Sequence, residues 1–229
     1  MAEVRDHALL LRRIPYSDTS LICHFLTQEH GRISLMARGA RRAKSPFRGA
    51  LEPLHQLNLR WRPGRTGMGT LIDIDRGPRL LSETHDLDGL ELCAVASGLF
   101  QDGDPHGYGE VVESLQVMCD RSEESALYSG VWRLLELSGW VSSFDHCWIC
   151  GNEVERGHAM MWHEGQLGCR SCGSGAEISA SMRRGVAAHL QQSNVRLNQR
   201  DISSWRKMIQ DVLRQHGVRA LSSINQEYS

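Results

Sequence analysis

The chain has 229 residues, of which 41% are apolar and 23% are charged, values that are ordinary for a globular protein. This length fits one large domain or two small ones, with a core that does not need disulfides. No apolar run approaches the roughly 18 residues of a membrane-spanning helix, which excludes an integral membrane protein of that kind. The first apolar run, residues 8–11, is too short for a signal peptide, so we expect a cytoplasmic protein.

A formal net charge of −1 conceals a strong segregation of charge along the chain. Residues 1–80 carry 14 Lys and Arg against 7 Asp and Glu, a net of +7. Residues 81–146 carry 2 against 13, a net of −11, and residues 147–229 carry 10 against 7, a net of +3. A basic part of this size favours binding of a polyanion, although two solvated surfaces of opposite sign would give the same numbers.

Apolar and polar side chains alternate with period two in residues 4–75, which is typical of half-buried strands. The pattern predicts five strands, near residues 4–14, 20–27, 32–38, 54–62 and 68–75, with a hairpin loop at residues 63–67. Five short strands in this space favour a small barrel, and the OB-fold is a common five-stranded type.

Beyond Pro78 the apolar residues fall at helical spacing. One stripe begins at Leu87, a second at Leu127 and a third at Ile202, and Gly217 stands where a helix C-cap glycine belongs. We therefore predict an α+β protein. Its OB-fold barrel domain spans residues 1–80, and an α-helical domain over residues 81–229 contains an inserted cysteine-rich module at about residues 145–177.

Seven cysteines in a chain expected to be cytoplasmic argue against a disulfide framework. Four of them form two C-x2-C pairs separated by eighteen residues: Cys147, Cys150, Cys169 and Cys172. This spacing is typical of four-thiolate zinc sites, in which each tight turn directs two sulfurs at one point. A redox pair would need a helix start in a βαβ unit, and no such pattern is present. We predict one structural zinc ion per chain, since four thiolates leave no open position for catalysis.

The remaining metal-ligating and nucleophilic side chains give no catalytic pattern. His146, His158 and His163 lie near the cysteine pairs and are expected to be solvated rather than ligands, while Cys23, Cys93 and Cys119 are expected to be small buried core residues. A complete P-loop, a dinucleotide fingerprint, a nucleophile elbow and a zincin motif are all missing from the sequence. We expect no enzyme, because a zinc-dependent hydrolase or nuclease would need an open metal position or a carboxylate cluster.

Basic residues concentrate in the segment from residue 38 to residue 48, here called the basic segment, with Arg38, Arg41, Arg42, Lys44 and Arg48. Such a segment offers donors to phosphates. In an OB-fold the second and third strands and the loop between the fourth and fifth form the usual oligonucleotide surface. Further candidates for phosphate contacts lie in the predicted strands and hairpin: Arg32, Arg60, Arg62 and Arg65.

Two aromatic residues in this part of the chain invite a base-stacking role. Trp61 shares a strand face with Leu57 and Leu59, so we expect it in the core. Phe47 lies inside the basic segment and is the stacking candidate. Phosphate contacts and stacking serve RNA as well as DNA, so an RNA-binding OB-fold protein with a structural zinc module is the alternative function.

Several sequence blocks resemble the N-terminal domain of the RecO family, bacterial recombination mediators of the RecF pathway. The blocks are YSDTSL at residues 16–21, FLTQEHGRISL at 25–35, ARGARR at 37–42, and GALEP at 49–53. Leu134-Leu135, Gly139-Trp140 and the first cysteine pair with Gly151 resemble the start of that family's zinc module. The resemblance covers most of the chain and fades between about residues 80 and 125 and beyond residue 180.

The resemblance implies binding of single- and double-stranded DNA, annealing of complementary strands, and cooperation with RecR in loading RecA on DNA coated by single-strand-binding protein. It implies a protein of DNA repair that works at the nucleoid. Some members bind the acidic tail of single-strand-binding protein through a basic-rimmed pocket in the helical domain. Here residues 81–146 are acidic, and the start of one predicted helix, Leu127-Tyr128-Ser129, has no basic residue. We therefore do not assign the docking site of that tail to this part of the chain. The contact with RecR is not assigned to residues.

Overall fold

The computed structural model describes residues 2–65, 67–120, 124–193 and 195–219. The chain forms two compact units, which meet in sequence at residues 120 and 121. The first unit thus extends well beyond residue 80, where the charge and the hydrophobic period change. Within the described ranges, no helix is both long and apolar enough to cross a bilayer.

The first unit begins with the five predicted strands. They are β1 (Val4–Pro15), β2 (Leu21–Thr27), β3 (Gly31–Ala37), β4 (His55–Arg62) and β5 (Gly69–Arg79). The strands form a closed barrel in the order β1-β2-β3-β5-β4, which confirms the five-stranded OB-type barrel. All neighbours are antiparallel except β3 and β5, which pair in parallel. In the predicted hairpin loop between β4 and β5, Thr66 lies outside the described residues.

The barrel core confirms the alternation that predicted the strands. Leu57, Leu59 and Trp61 of β4 all point into it, and Trp61 is 7% exposed, as expected from the face it shares with the two leucines. The facing side chains include Phe25 and Leu35, which are completely buried. Burial of these side chains supplies the main favourable free energy for closing the sheet.

Two helices complete the first unit: α1 (Asp86–Leu99), preceded by a short 3-10 turn at Glu83–His85, and α2 (Tyr108–Asp120). Helix α1 packs on β1, and a Cβ atom at Gly89 of α1 would lie 2.5 Å from a methyl group of Leu81. The loop after α1 is also fixed to β3. Arg32 donates its backbone N–H to the Asp104 carbonyl, while Gly103 donates its own to the Arg32 carbonyl.

Gly31, at the start of β3, allows this loop to approach the barrel. It has a φ of +62°, and a Cβ atom there would lie 1.6 Å from the carbonyl oxygen of Asp104. A side chain at this position would meet both backbone strain and a collision. The two helices therefore group with the barrel because this loop and the face of α1 lie directly against it.

The second unit contains α3 (Glu124–Leu137), β6 (Met160–His163), β7 (Gln166–Cys169), β8 (Ala176–Ile178), α4 (Ala180–Leu190) and α5 (Gln199–Gln215). The strands form a small sheet in the order β7-β6-β8, inserted between α3 and α4 at the place predicted for the cysteine module. Gly217 follows α5 with a φ of +69°, and Val218 donates its N–H to the Leu213 carbonyl, as expected for a glycine C-cap.

Aromatic side chains form the core of the second unit. Trp132 of α3 and Trp205 of α5 are completely buried, with ring centroids 6.5 Å apart. Trp132 also lies 5.0 Å from Phe144 and 6.1 Å from Trp162 of β6, again between ring centroids. These contacts bring the helices and the small sheet onto one core.

A buried arginine on α4 fixes the loop that leads into the small sheet. Arg183 is 2% exposed, and its guanidinium donates five hydrogen bonds to four backbone carbonyls: Phe144, Val154, Glu155 and His158. Burial lowers the pKa of Arg183, and the nearby carboxylate of Asp145 opposes that shift. One side chain thus ties α4 to both ends of the segment that contains the first cysteine pair.

We predict that Arg183→Leu lowers the free energy of unfolding of the second unit by about 3 kcal/mol, because it removes a charged donor and leaves its acceptors unpaired. Urea unfolding followed by tryptophan fluorescence measures this change, since five of the six tryptophans lie in the second unit. Arg184→Leu is the control. Arg184 is exposed, so its loss should change stability by no more than about 0.5 kcal/mol. Equal effects of the two substitutions would contradict the role of the buried guanidinium.

Candidate nucleic-acid interface and metal centre

The basic segment follows β3 and runs along the barrel as a series of tight turns. Most of its backbone hydrogen bonds are short-range, for example from Ser45 N–H to the Arg42 carbonyl at 3.0 Å, and one reaches the loop after β1, from Arg41 N–H to the Thr19 carbonyl at 3.0 Å. Apolar side chains in and just after the segment enter the barrel core: Ala40, Phe47, Ala50 and Leu51. The segment is therefore held on the barrel by burial rather than by regular secondary structure.

The structure corrects the role expected of Phe47. Its side chain is 8% exposed and belongs to the barrel core, so its ring presents too little surface to stack on a base. The sequence concealed this because a single aromatic residue in a loop has no periodicity to reveal which way it points. Phe47 instead anchors the basic segment.

The cations of the basic segment lie outside the barrel. Arg38, Arg42, Lys44 and Arg48 are exposed, and none of their side chains has a hydrogen-bond or ion-pair partner within the described part of the chain. Arg41 is exposed as well, but its Nη1 donates to the Ser17 carbonyl at 2.7 Å. Arg65 is exposed in the loop between β4 and β5. These positively charged groups are free to meet phosphate oxygens.

Three other predicted phosphate contacts are already occupied by carboxylates. Arg60 lies 3.1 Å from both Glu3 and Asp73, and Arg62 lies 3.1 Å from Glu3. The hydrogen bond to Asp73, and then that to Glu3, raises the pKa of Arg60. Arg32, with 17% of its side chain exposed, pairs with Asp102 at 3.2 Å. These arginines are less available to an external phosphate than those of the basic segment.

The four paired cysteines come together in the second unit. Their sulfurs all lie within 4.8 Å of one another, in the range needed around a tetrahedral ion whose metal–sulfur bonds are about 2.3 Å. Each pair lies on a turn closed by a backbone hydrogen bond. Gly151 donates to the Cys147 carbonyl at 2.8 Å, and Gly173 donates to the Cys169 carbonyl at 2.7 Å. Among the described residues no other group of this kind converges, and His146, His158 and His163 stay outside it.

The protonation pattern of the cluster fits a cation-binding site. Burial would raise the pKa of Cys147, but backbone N–H groups around its sulfur lower that pKa to about 6. A hydrogen bond from Cys172 lowers the pKa of Cys169, while the same contact and one to Cys150 raise the pKa of Cys172 to about 12. Four adjacent sulfurs cannot all be ionised without a positive charge among them. The donor set therefore fits a thiophilic metal ion held by four thiolates.

The other three cysteines do not contribute to a site. Cys23 and Cys93 are buried as expected, and burial raises the pKa of each thiol to about 12, so neither forms a thiolate readily. The prediction for Cys119 is wrong, because this residue is exposed. Its neighbour Met118 faces the core together with Val111 and Leu115, and position 119 falls off that face of α2.

Sequence reasoning missed Arg183, the side chain that supports the metal-binding loop. An arginine at the start of an amphipathic helix ordinarily lies in solvent, and nothing in its spacing distinguishes it from the exposed Arg184. Its contacts depend on four carbonyls that are 25 to 39 residues away in sequence.

Comparison with known proteins assigns both parts of the chain to one family. The model of the N-terminal domain of recombination protein O matches residues 1–75, and the model of its C-terminal domain matches residues 89–223. A DNA repair protein RecO of Proteus mirabilis (strain HI4320) is 32% identical over 155 residues, covering 65% of this chain and 63% of the relative. The RecO of Actinobacillus pleuropneumoniae serotype 3 (strain JL03) is 28% identical over 179 residues, covering 72% of this chain and 71% of the relative. The RecO of Acidithiobacillus ferrooxidans is 32% identical over 165 residues, covering 70% of this chain and 64% of the relative. The barrel, the helical unit and both family matches together place this chain in the RecO family of DNA repair proteins.

Proposed function

We propose that this protein binds single- and double-stranded DNA through the basic segment of its barrel. One observation carries the proposal: four exposed cations without partners among the described residues, Arg38, Arg42, Lys44 and Arg48, lie on turns that the buried Phe47 ring anchors. An anchored group of cations binds phosphates with little loss of backbone freedom, which favours affinity. Because phosphates are the same in every sequence, this contact should be independent of sequence.

The DNA-binding role extends to a wider function in repair. We propose that the protein anneals complementary strands and, with RecR, helps to load RecA on DNA coated by single-strand-binding protein, working in the cytoplasm at the nucleoid. Membership of the RecO family supports this, and so do the relatives, which are DNA repair proteins and therefore favour DNA over RNA as the ligand. The proposal requires no catalytic group, since pairing of strands is driven by the DNA itself.

Annealing of complementary strands coated with single-strand-binding protein tests this wider role. We expect the protein to accelerate annealing, and RecR to increase RecA assembly on the coated strand. A protein that binds structured RNA tightly, but does not affect coated DNA with or without RecR, would instead be the RNA-binding alternative.

We also propose that the four-cysteine site holds one structural zinc ion, with Cys147, Cys150, Cys169 and Cys172 as its ligands. The all-thiolate donor set and the convergence of the four sulfurs support zinc, and four protein ligands complete its usual coordination. When bound, the ion supplies the positive charge that allows the cysteines to ionise together. The residues themselves then hold the two turns and the small sheet in one arrangement.

We predict that removing two free cations weakens the salt dependence of DNA binding. With about four phosphate contacts on single-stranded DNA, log affinity should fall with log salt at a slope of about −2.8, and the double substitution Arg42→Ala, Lys44→Ala should make it shallower by about 1.4. Fluorescence anisotropy over a series of salt concentrations measures both slopes.

The double substitution Arg60→Ala, Arg62→Ala is the matched control, because it removes the same charge from arginines already bound to Glu3 and Asp73. It should leave the slope nearly unchanged. If the control flattens the slope while the variant in the basic segment does not, the DNA path follows β4 and the proposal is wrong.

We predict that Cys147→Ser lowers the metal content from one zinc per chain to well below one, because three thiolates and a hydroxyl hold zinc poorly. Elemental analysis of the purified protein measures the stoichiometry. Cys119→Ser, an exposed cysteine outside the cluster, should keep one zinc per chain. Full zinc content in the Cys147 variant would exclude Cys147 as a ligand.

A further inference from the structure

A large apolar pair is exposed on the first metal-binding turn. Trp148 and Ile149, between the ligands Cys147 and Cys150, are 58% and 61% exposed. In contrast, Trp132 and Trp205 are buried in the core of the second unit. Exposing an indole ring to water on a rigid turn is unfavourable, so the exposure of Trp148 calls for a functional explanation.

The backbone holds this turn firmly. Trp148 donates its N–H to the Leu167 carbonyl of β7 at 2.9 Å, and Gly151 closes the turn through its bond to Cys147. The turn is therefore fixed at both its start and its end, and it presents the indole ring on a preformed support. Such preorganisation lowers the entropic cost of binding a flat ligand.

A groove of about 240 Å³ lies beside the indole ring. Its apolar wall consists of Trp148, Ile149 and Met161. Gly168 and Gly173 also line it, and they lie so close together that a Cβ atom on Gly168 would be 2.8 Å from the Cα atom of Gly173. The lack of side chains at these two glycines keeps the groove open next to the metal-binding turns.

The groove is also lined by a residue whose side-chain acceptor has no donor. Gln166 lines the groove, and its Oε1 is closed off from solvent and has no hydrogen-bond partner among the described residues, so the amide must turn toward the groove before a ligand can reach this oxygen. A buried unpaired acceptor is costly, so a ligand that donates an N–H to it would gain affinity. The groove thus combines an open aromatic face, a small volume and one unpaired acceptor.

These three features match a nucleobase. Every base has a flat π-face to stack on an indole ring, and every base carries at least one N–H donor. Arginine and lysine are missing from the described lining of the groove. Its ionisable side chains are His163 and Glu164, 3.9 Å apart, and the carboxylate of Glu164 would repel a phosphate, so the groove suits an uncharged base rather than the DNA backbone. Its volume is below the range of about 300–1,000 Å³ typical of drug-sized ligands, which fits a single ring system.

We propose that this groove is a second contact for single-stranded DNA, in which one unpaired base stacks on Trp148 and donates a hydrogen bond to Gln166. The inference rests on the proposed DNA binding and adds to it a contact made to a base rather than to phosphates. It also assigns a ligand-binding role to the metal-binding turn, whose backbone positions the indole ring.

The test compares two single-stranded oligonucleotides of equal length and charge, one with all its bases and one with abasic sites, using the zinc-loaded full chain. For the normal strand, Trp148→Ala should weaken binding by about five- to a hundred-fold without changing the salt slope, because stacking releases few ions. Trp148→Phe should recover most of the affinity. For the abasic strand, Trp148→Ala and the unaltered protein should bind equally.

Two further variants make the test specific. Gln166→Leu should weaken binding of the normal strand several-fold, since it removes the acceptor. Leu137→Ala is the matched control, because it removes an exposed apolar side chain of the same unit that does not line the groove, and it should change nothing.

Two results would overturn the inference. If the unaltered protein binds DNA with a steep salt slope and Trp148→Ala binds equally well, the basic segment stands but the groove serves a different ligand, such as an apolar side chain of a partner protein. If the unaltered protein binds neither strand, the proposed DNA-binding function fails and the inference fails with it.

Discussion

Closure of the barrel is the constraint on which the first unit depends. Strand β5 pairs with β4 on one side and with β3 on the other. The two strands that would otherwise be the edges of the sheet, β3 and β4, therefore both have a hydrogen-bonded neighbour. The chain must then pass from β3 to β4 outside the hydrogen-bonded sheet. Along this crossing, apolar side chains turn inward to the core and cations remain in water, because a cation is costly to bury without a partner. The arrangement of the basic segment is thus a consequence of barrel topology.

The basic and acidic parts of the sequence are partly brought together by folding. The acidic stretch that follows the barrel supplies partners to arginines of the barrel, since Asp102 pairs with Arg32 and Asp86 pairs with Arg79. Part of the negative charge is therefore used within the first unit. What distinguishes the basic segment is not its number of cations but that most of them form no ion pair with a carboxylate among the described residues.

The sequence predicted those features that depend on local patterns. Alternation located the five strands, and the two C-x2-C pairs located the metal-binding turns, because both patterns are set by residues close together in the chain. It did not predict the burial of Phe47, the ion pairs of Arg60 with Glu3 and Asp73, or the carbonyl contacts of Arg183. Each of these depends on strand register or on segments that approach only after folding. The groove beside Trp148 is in the same class, since its walls come from two turns and two strands.

The contact between Gly31 and the loop after α1 determines whether the barrel could fold without its helices. The loop carbonyl of Asp104 fits against a position where no side chain is tolerated, and the Arg32 backbone exchanges hydrogen bonds with the same loop. A fragment that stopped at the end of β5 would leave the start of β3 and Leu54, which lies beneath Gly89 of α1, open to water, with the aggregation tendency of an uncovered edge. The smallest fragment that keeps the basic segment on an intact fold is therefore the barrel together with its two acidic helices, so any fusion protein that includes this segment also includes negative charge to balance it.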